Sequence, residues 1–552
     1  MSFMPERSNM VKRKNRKTIP KKDIGTKQIK GRFGKDLLCV LILVIICLAV
    51  GLPRYRLGID FMDEGFLAYG AVRVIEGQVP NLNFVSLQPP LSFYTAAAMF
   101  KLFGTSLASL RILGLCIHIL IPLLIYAISR NMTGQALSFA AAVPATVLGI
   151  PLFNFVPFAV WQGITATLAA AYFFMRATVT GKYYWAFPAG LMTAASILLR
   201  HDQGFYLAIS ILAYTIALKF ANDGLVAKPE LKSLSGIWAA GIIVVMLPLG
   251  IYWFACGALP NMIKQLIVFP LTTYSKTSSL LFPTFNSDLT FNRNLMAGLF
   301  YVPPVIGIIA AIRLLKIIVH RSFNFKEANT AFILVWSALF YCQVLTRSDT
   351  HHLMITLPPF FILCACCLQA FLKAIGDAVE KTTQRLSAPL TAKSIVAVVI
   401  GAMATGFLLS TAPLLLASPN GSLETIHIAR AGVRVKSADI LEDFIRIVQK
   451  YAAPDRSILC LPYNPMFYFL CERRNPTQWN YLWPGDQTHE EHQTLIRQAK
   501  SDPPAIVLVA RESDVKIYAS AIIDYVHTEY RVAHHFGGLL LYLPLNDSAI
   551  IN

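Results

Sequence analysis

The stretch Arg56-Leu-Gly-Ile-Asp-Phe-Met-Asp-Glu-Gly-Phe-Leu-Ala-Tyr-Gly70 places three carboxylates, Asp60, Asp63 and Glu64, a few positions beyond the first long apolar run of the chain. A carboxylate at the mouth of a membrane protein is costly to desolvate, so it is paired, ligating, or kept as a base. From Asp60 onward the pattern reads as a helix that stops at Gly77, before Pro80. At i, i+3 and i+4 the three acids share one helix face. The structural alternative makes Asp60 an N-cap reciprocated by Asp63, with Glu64 favoured by the helix dipole. One cap needs only one partner, so this explains Asp60 better than Asp63 and Glu64.

The surrounding composition sets the class. The 552 residues are 55% hydrophobic and 14% charged, with a mean hydropathy of +0.54, which describes a polytopic membrane protein rather than a soluble enzyme. The net charge of +19 does not imply nucleic acid, because twelve of the basic residues crowd into positions 1–36 without a stacking pattern of aromatics. Such a tail fixes topology and touches anionic lipid. Eleven apolar segments of spanning length follow, at 37–53, 107–129, 135–152, 157–175, 184–199, 203–220, 236–257, 295–315, 329–346, 353–372 and 394–417. With the N-terminus inside, five short cytoplasmic loops hold fourteen Lys/Arg, whereas the short outer loops hold only Arg200 and Arg347. The positive-inside rule therefore puts Asp60, Asp63, Glu64, Asp202 and Asp349 together on the outer side.

Residues 418–552 change character, with thirteen Lys/Arg, fifteen Asp/Glu and alternating helix-like and strand-like runs. Helices are predicted at 437–451, 488–499 and 515–526, and strands at 457–461, 505–510 and 539–543. The expected organisation is a basic cytoplasmic tail (1–36), a transmembrane region (37–417) whose first outer loop is 54–106, and an outer α/β domain (418–552) long enough for its own core. Ten cysteines form no framework. Eight lie in or beside predicted spans, and Cys460 and Cys471 in the outer domain need not be within bonding distance.

Asp63-Glu64-Gly65, followed by Tyr69, Ala71, Arg73, Gly77, Pro80, Gln88-Pro89-Pro90-Leu91, Tyr94, Phe103-Gly104 and Arg111, resembles the first outer loop of GT-C glycosyltransferases. The resemblance is to the protein O-mannosyltransferase and lipid A aminoarabinose transferase group, specific over roughly 57–130 and loose to about 372. The chain departs from the oligosaccharyltransferase branch in having no Trp-Trp-Asp motif in its tail. The resemblance implies a membrane enzyme of a bacterial cytoplasmic membrane that moves a monosaccharide from a polyprenyl phosphate to a hydroxyl of a lipid, glycan or protein, with inversion. It makes Asp63 the base and Glu64 its neighbour.

That chemistry needs a carboxylate to take the acceptor proton and cations to hold the departing phosphate. The cationic candidates at outer ends of spans are Arg111, Arg200 in Leu-Leu-Arg-His-Asp-Gln-Gly, and Arg347 in Thr-Arg-Ser-Asp-Thr-His-His. The bland alternative is snorkelling, each of the last two arginines paired with the aspartate two residues on, Asp202 or Asp349. Recurrence of Arg-x-Asp with histidines beside it, His201, His351 and His352, argues for contact with phosphate or sugar. No cofactor is required. A divalent metal joining Asp349 and His351 to Asp60 or Asp63 is the alternative, on a weak motif. Competing functions are a transporter or lipid flippase without covalent chemistry, and a silent homologue that binds glycan. A transporter should carry charges at the membrane midplane and paired broken spans, and neither pattern is evident.

Overall fold

The computed structural model describes residues 26–221, 231–285, 291–383, 424–425, 427–428, 430–436 and 438–545. The chain forms two compact units, 1–42 and 43–552. The first is described only from Thr26, where a helix begins that runs to Gly51. The second holds everything that follows.

Ten of the eleven apolar segments fall on helices, and the eleventh, 394–417, lies outside the described residues. Among the described residues eight helices are long and apolar enough to cross a membrane, which makes this a polytopic α-helical membrane protein. Two further segments are helical but different in kind. Ala159–Thr180 is a longer helix with Gln162 and several threonines, and Ala186–Leu199 has only 14 residues. The segment 135–152 breaks up. Its α-helix Gln135–Ala142 gives way to 3-10 turns Val143–Thr146 and Ile150–Phe153, because Pro144 and Pro151 lack amide donors and Gly149 takes φ of 102°.

The C-terminal residues build a four-stranded sheet in the order Ile458–Leu461, Ile506–Ala510, Leu539–Pro544, Tyr530–Phe536. The first pair is parallel and the other two are antiparallel. Helices Ala438–Tyr451, His489–Ser501 and Glu512–Glu529 flank it near the predicted positions, the second opened by a capping box between Thr488 and Glu491. Two elements escaped the sequence pattern. The strand Tyr530–Phe536 is an edge strand with polar Arg531, His534 and His535, so it lacks the alternation of a half-buried strand. The short helix Met466–Cys471 is buried along its whole length, so it shows no amphipathic stripe.

The segment 54–106 and the C-terminal domain share one hydrophobic core, in which Phe66, Tyr69, Phe93 and Phe100 pack with Phe444, Met466, Tyr468 and Leu508. The helix Asp63–Ile75 is buried from Glu64 through Arg73. Tyr69 stacks on Tyr468 with ring centroids 4.8 Å apart, and its hydroxyl accepts from the Asn475 amide at 2.7 Å. Arg73 is buried and donates to Gln78, Asn83 and Asn480. Within the same loop the chain forms the helix Leu91–Phe103. Its inner face is packed within the protein: Phe93 sits edge-on to Phe66 and Phe100 stacks on Phe469.

Gly65 fixes the approach of the acidic helix to the domain. A Cβ there would overlap the Met466 backbone, which, unlike a side-chain tip, cannot swing away. Gly65→Val is therefore expected to destabilise the protein by about 1–3 kcal/mol or more through overpacking. Thermal unfolding in detergent reads the loss, and limited proteolysis should cut the C-terminal domain faster. An unchanged melting temperature would show that the close approach is not needed.

Candidate functional site

The three acids do three different things. Asp60 caps the helix: its Oδ1 accepts from the Met62 amide at 2.9 Å and the Asp63 amide at 3.1 Å. The reciprocal partner is Glu64, not Asp63 as expected, since Glu64 Oε2 accepts from the Asp60 amide at 3.2 Å. Burial, and then the charge of Asp63, push the Asp60 carboxyl up to about 6.

Glu64 is fully buried and grips Arg111, also fully buried, in a fork: Nε to Oε1 at 2.6 Å and Nη2 to Oε2 at 2.7 Å. Arg111 also donates to the carbonyls of Leu57 (2.9 Å), Gly58 (2.8 Å) and Tyr55 (3.4 Å). All five of its N–H groups are engaged. This corrects the expectation that Arg111 meets phosphate, because a guanidinium with no free donor and no exposed surface cannot receive one. Glu64 faces the same lock rather than an acceptor, so it acts by holding the loop.

Asp63 alone has an exposed carboxylate. Its Oδ1 accepts from the Tyr463 hydroxyl at 2.6 Å, across 400 positions of sequence. Burial and the Asp63 charge raise the Tyr463 phenol well above its ordinary range, so it stays a donor. Tyr463 in turn packs edge-on with Phe66, Tyr481 and Trp483.

The two Arg-x-Asp hairpins have matching geometry. Arg200 Nε meets Asp202 Oδ1 at 2.9 Å, and Arg347 Nε meets Asp349 Oδ2 at 3.0 Å. Each arginine has extended backbone where one helix ends, at φ of −152° and −141°. The hairpins also converge. Tyr274 is an electrostatic neighbour of both arginines and lies 3.4 Å from Arg347 Nη1, and His352 feels both as well. Nη2 of Arg347 and both Nη atoms of Arg200 have no hydrogen bond among the described residues. The histidine on Asp349 is His352, through its ring Nδ1 and its amide, both at 2.8 Å. His351 lies against Phe153, ring centroids 4.7 Å apart, rather than on Asp349. Among the described residues no group of three His, Cys, Asp or Glu could hold a metal ion, and the ligands of the metal alternative do not gather. All ten cysteines are free, Cys460 and Cys471 included.

Contacts joined by short stretches of chain run between the acidic and cationic parts. Asp63 touches Tyr463, which packs on Trp483, whose carbonyl accepts from the Asp486 amide. Asp486 accepts from Thr277, three residues beyond Tyr274, which reaches Arg347. On the other side His351 meets Phe153, whose neighbour Asn154 shares a cavity wall with Gly58. Tyr463 and Tyr274 are the site residues that sequence did not single out, whereas His352 was already named beside the second Arg-x-Asp. Neither tyrosine stands in a charged motif that would have marked it.

Residues 87–253 match the dolichyl-phosphate-mannose-protein mannosyltransferase family model, a region that begins beyond the acidic helix. No curated protein matches the chain in sequence. Solved structures resemble it in fold. ArnT from Cupriavidus metallidurans, bound to undecaprenyl phosphate, superposes with a TM-score of 0.53 at 12% identity, covering 93% of this chain and 98% of that one. The Archaeoglobus fulgidus oligosaccharyltransferase tethered to an acceptor peptide gives 0.52 at 13% identity, covering 93% and 75%. The same archaeal enzyme, AglB, with an inhibitory peptide and a dolichol-phosphate gives 0.53 at 12%, with the same coverage. The chain shares the fold of these proteins: a polytopic helical membrane region with a C-terminal α/β domain.

Two outcomes separate structure from chemistry here. Arg111→Met leaves Glu64 as an unpaired buried charge and should cost about 3–5 kcal/mol, read as a large fall in melting temperature that Glu64→Gln in the same chain partly restores. Asp60 has a raised carboxyl in the folded state, so from about pH 4 to about pH 6 the folded protein binds more protons than the unfolded one. Its contribution to stability is present below that window and is lost as pH rises through it. Asp60→Asn, which caps nearly as well, should gain melting temperature relative to the parent as pH rises from 4 to 7. A pH-independent difference would contradict the assignment.

Proposed function

We propose that this GT-C chain is an inverting membrane glycosyltransferase that moves a monosaccharide from a polyprenyl phosphate to an acceptor hydroxyl. The observation that carries this reading is the pairing of one exposed, tyrosine-held carboxylate, Asp63, with two convergent Arg-x-Asp hairpins that keep guanidinium Nη donors free among the described residues. The family match over 87–253 supports it, as do the fold relatives captured with polyprenyl phosphates.

In the proposed reaction the acceptor oxygen attacks the anomeric carbon from the side of Asp63, which takes the hydroxyl proton. The bond from the anomeric carbon to the phosphate oxygen breaks, and its electron pair leaves with the lipid phosphate. Attack from one face and departure from the other inverts the centre. Arg347 and Arg200 receive the phosphate through Nη atoms, their Nε atoms being fixed by Asp349 and Asp202. Those aspartates orient the guanidiniums, His352 steadies Asp349, and Tyr463 holds the Asp63 carboxylate by donating one hydrogen bond. The acceptor class, lipid, glycan or protein, follows from the need for a hydroxyl alone. The membrane orientation, N-terminus cytoplasmic and site on the outer face of a bacterial cytoplasmic membrane, rests on the loop charges and is part of the proposal.

Asp63→Asn keeps size and hydrogen bonding but removes the basic oxygen, so turnover with a labelled polyprenyl-phosphate sugar should fall by on the order of a hundredfold or more with donor binding intact. Asp60→Asn should cost little. Arg347→Lys should weaken donor use, because a point ammonium cannot reproduce a planar two-pronged grip on phosphate, with no matching loss of thermal stability. Near-normal turnover in Asp63→Asn would sink the mechanism.

A further inference from the structure

A cavity of about 590 Å³ lies between the first outer loop and the C-terminal domain. One wall is Leu57 to Ile59 and Phe61, the residues on either side of Asp60, with Asn154 beside them. The other is built from Ile440, Leu441 and Phe444 of the helix Ala438–Tyr451, Phe467, and the hairpin residues Phe536 and Leu539. The size falls within the range of ligand pockets, about 300–1,000 Å³. The lining is almost wholly apolar, and Ile440 is 60% exposed although it lines it.

The rim has the opposite character. Lys436 lies on the wall itself, and Arg434 and Arg56 are bound to each other through backbone, the Arg434 amide donating to the Arg56 carbonyl at 2.7 Å. All three side chains are exposed, and none pairs with a carboxylate among the described residues. Arg56 rests only on the ring of Tyr55. On the helix behind them Glu442 and Asp443 are paired with Arg446, while Asp439, three residues beyond Lys436, is exposed. In sequence Leu57 follows the end of the first membrane helix, Gly51, by six positions, which keeps this rim close to the level of lipid head groups.

We propose that this groove is a binding site for an anionic lipid of the surrounding bilayer, its acyl chain against Phe444, Phe467 and Phe536 and its phosphate on Arg56, Arg434 and Lys436. An apolar trough with three unpaired cations at its lip is complementary to that amphiphile and not to a zwitterionic one, and each surface basic group contributes measurably to anionic-lipid binding. Its test reads binding and requires no turnover, so its outcome is separable from that of the proposed glycosyl transfer.

The test uses the full-length protein with a photo-crosslinking phenylalanine analogue at Phe536, reconstituted in phosphatidylcholine vesicles with or without phosphatidylglycerol. A second probe at Leu539 keeps the result interpretable should the first disturb the hairpin. Illumination should yield a lipid adduct by mass spectrometry that favours phosphatidylglycerol over phosphatidylcholine by on the order of tenfold or more. The preference should vanish in a chain carrying R56E, R434E and K436E. Equal adducts with both lipids, an adduct to a peptide of the chain, or no lipid adduct at either position would overturn the site.

Discussion

The buried fork between Glu64 and Arg111 is the constraint on which the rest of the site depends. Two charges with no exposed surface are tolerated only if every lone pair and proton is answered, and here the answers define a shape. Arg111 takes the carbonyls of Tyr55, Leu57 and Gly58, so the chain leaving the first membrane helix must curl over the guanidinium. Glu64 takes the Asp60 amide, which closes the turn before the acidic helix. Such a pair adds little net stability compared with an apolar core. It does specify one arrangement, because any other leaves a charge in the dark, and in that arrangement Asp63 stands outward.

The C-terminal domain completes what the fork begins. A loop that presents a carboxylate at a membrane surface has few neighbours of its own, and this one borrows them. Gly65 lets the Met466 backbone close onto the helix, Tyr468 stacks on Tyr69, and Tyr463 reaches the functional carboxylate itself. The domain thus holds the Asp63 carboxylate in place from a stretch of chain four hundred residues away. Arg73 adds a polar tie, buried without an acid and satisfied by amide and carbonyl oxygens.

How much of this was legible follows from which forces are local. Hydropathy finds a membrane helix because twenty apolar residues are a property of one segment, and the apolar segments within the described residues fell on helices. Where Pro144, Gly149 and Pro151 interrupt the run, the same hydropathy hid a broken helix. Asp60, Asp63 and Glu64 stood out as a cluster, but their division of labour did not, since a capping carboxylate, a buried partner and an exposed base are the same residue types at adjacent positions. Arg111 illustrates the limit most sharply. Its place at the outer end of a span fits a phosphate ligand and a buried lock equally well, and only burial separates them. Tyr463 was invisible because a lone tyrosine in a soluble domain announces nothing about a loop in another part of the chain.

The arrangement of charge that remains also bears on why each arginine carries an aspartate two residues on. A bare guanidinium at a lipid surface would collect any head-group phosphate, and a site for one departing phosphate must discriminate. Binding Nε to an aspartate reduces the net charge at Arg200 and Arg347 while leaving the Nη edge directed by geometry rather than by field. In the proposed reaction, selectivity comes from two such edges meeting the same phosphate, and a single head group passing one hairpin gains only half the grip. The unpaired cations Arg56, Arg434 and Lys436 have no such restraint. Their indiscriminate attraction suits a surface that holds bulk anionic lipid, which separates the two kinds of basic group by what neutralises them.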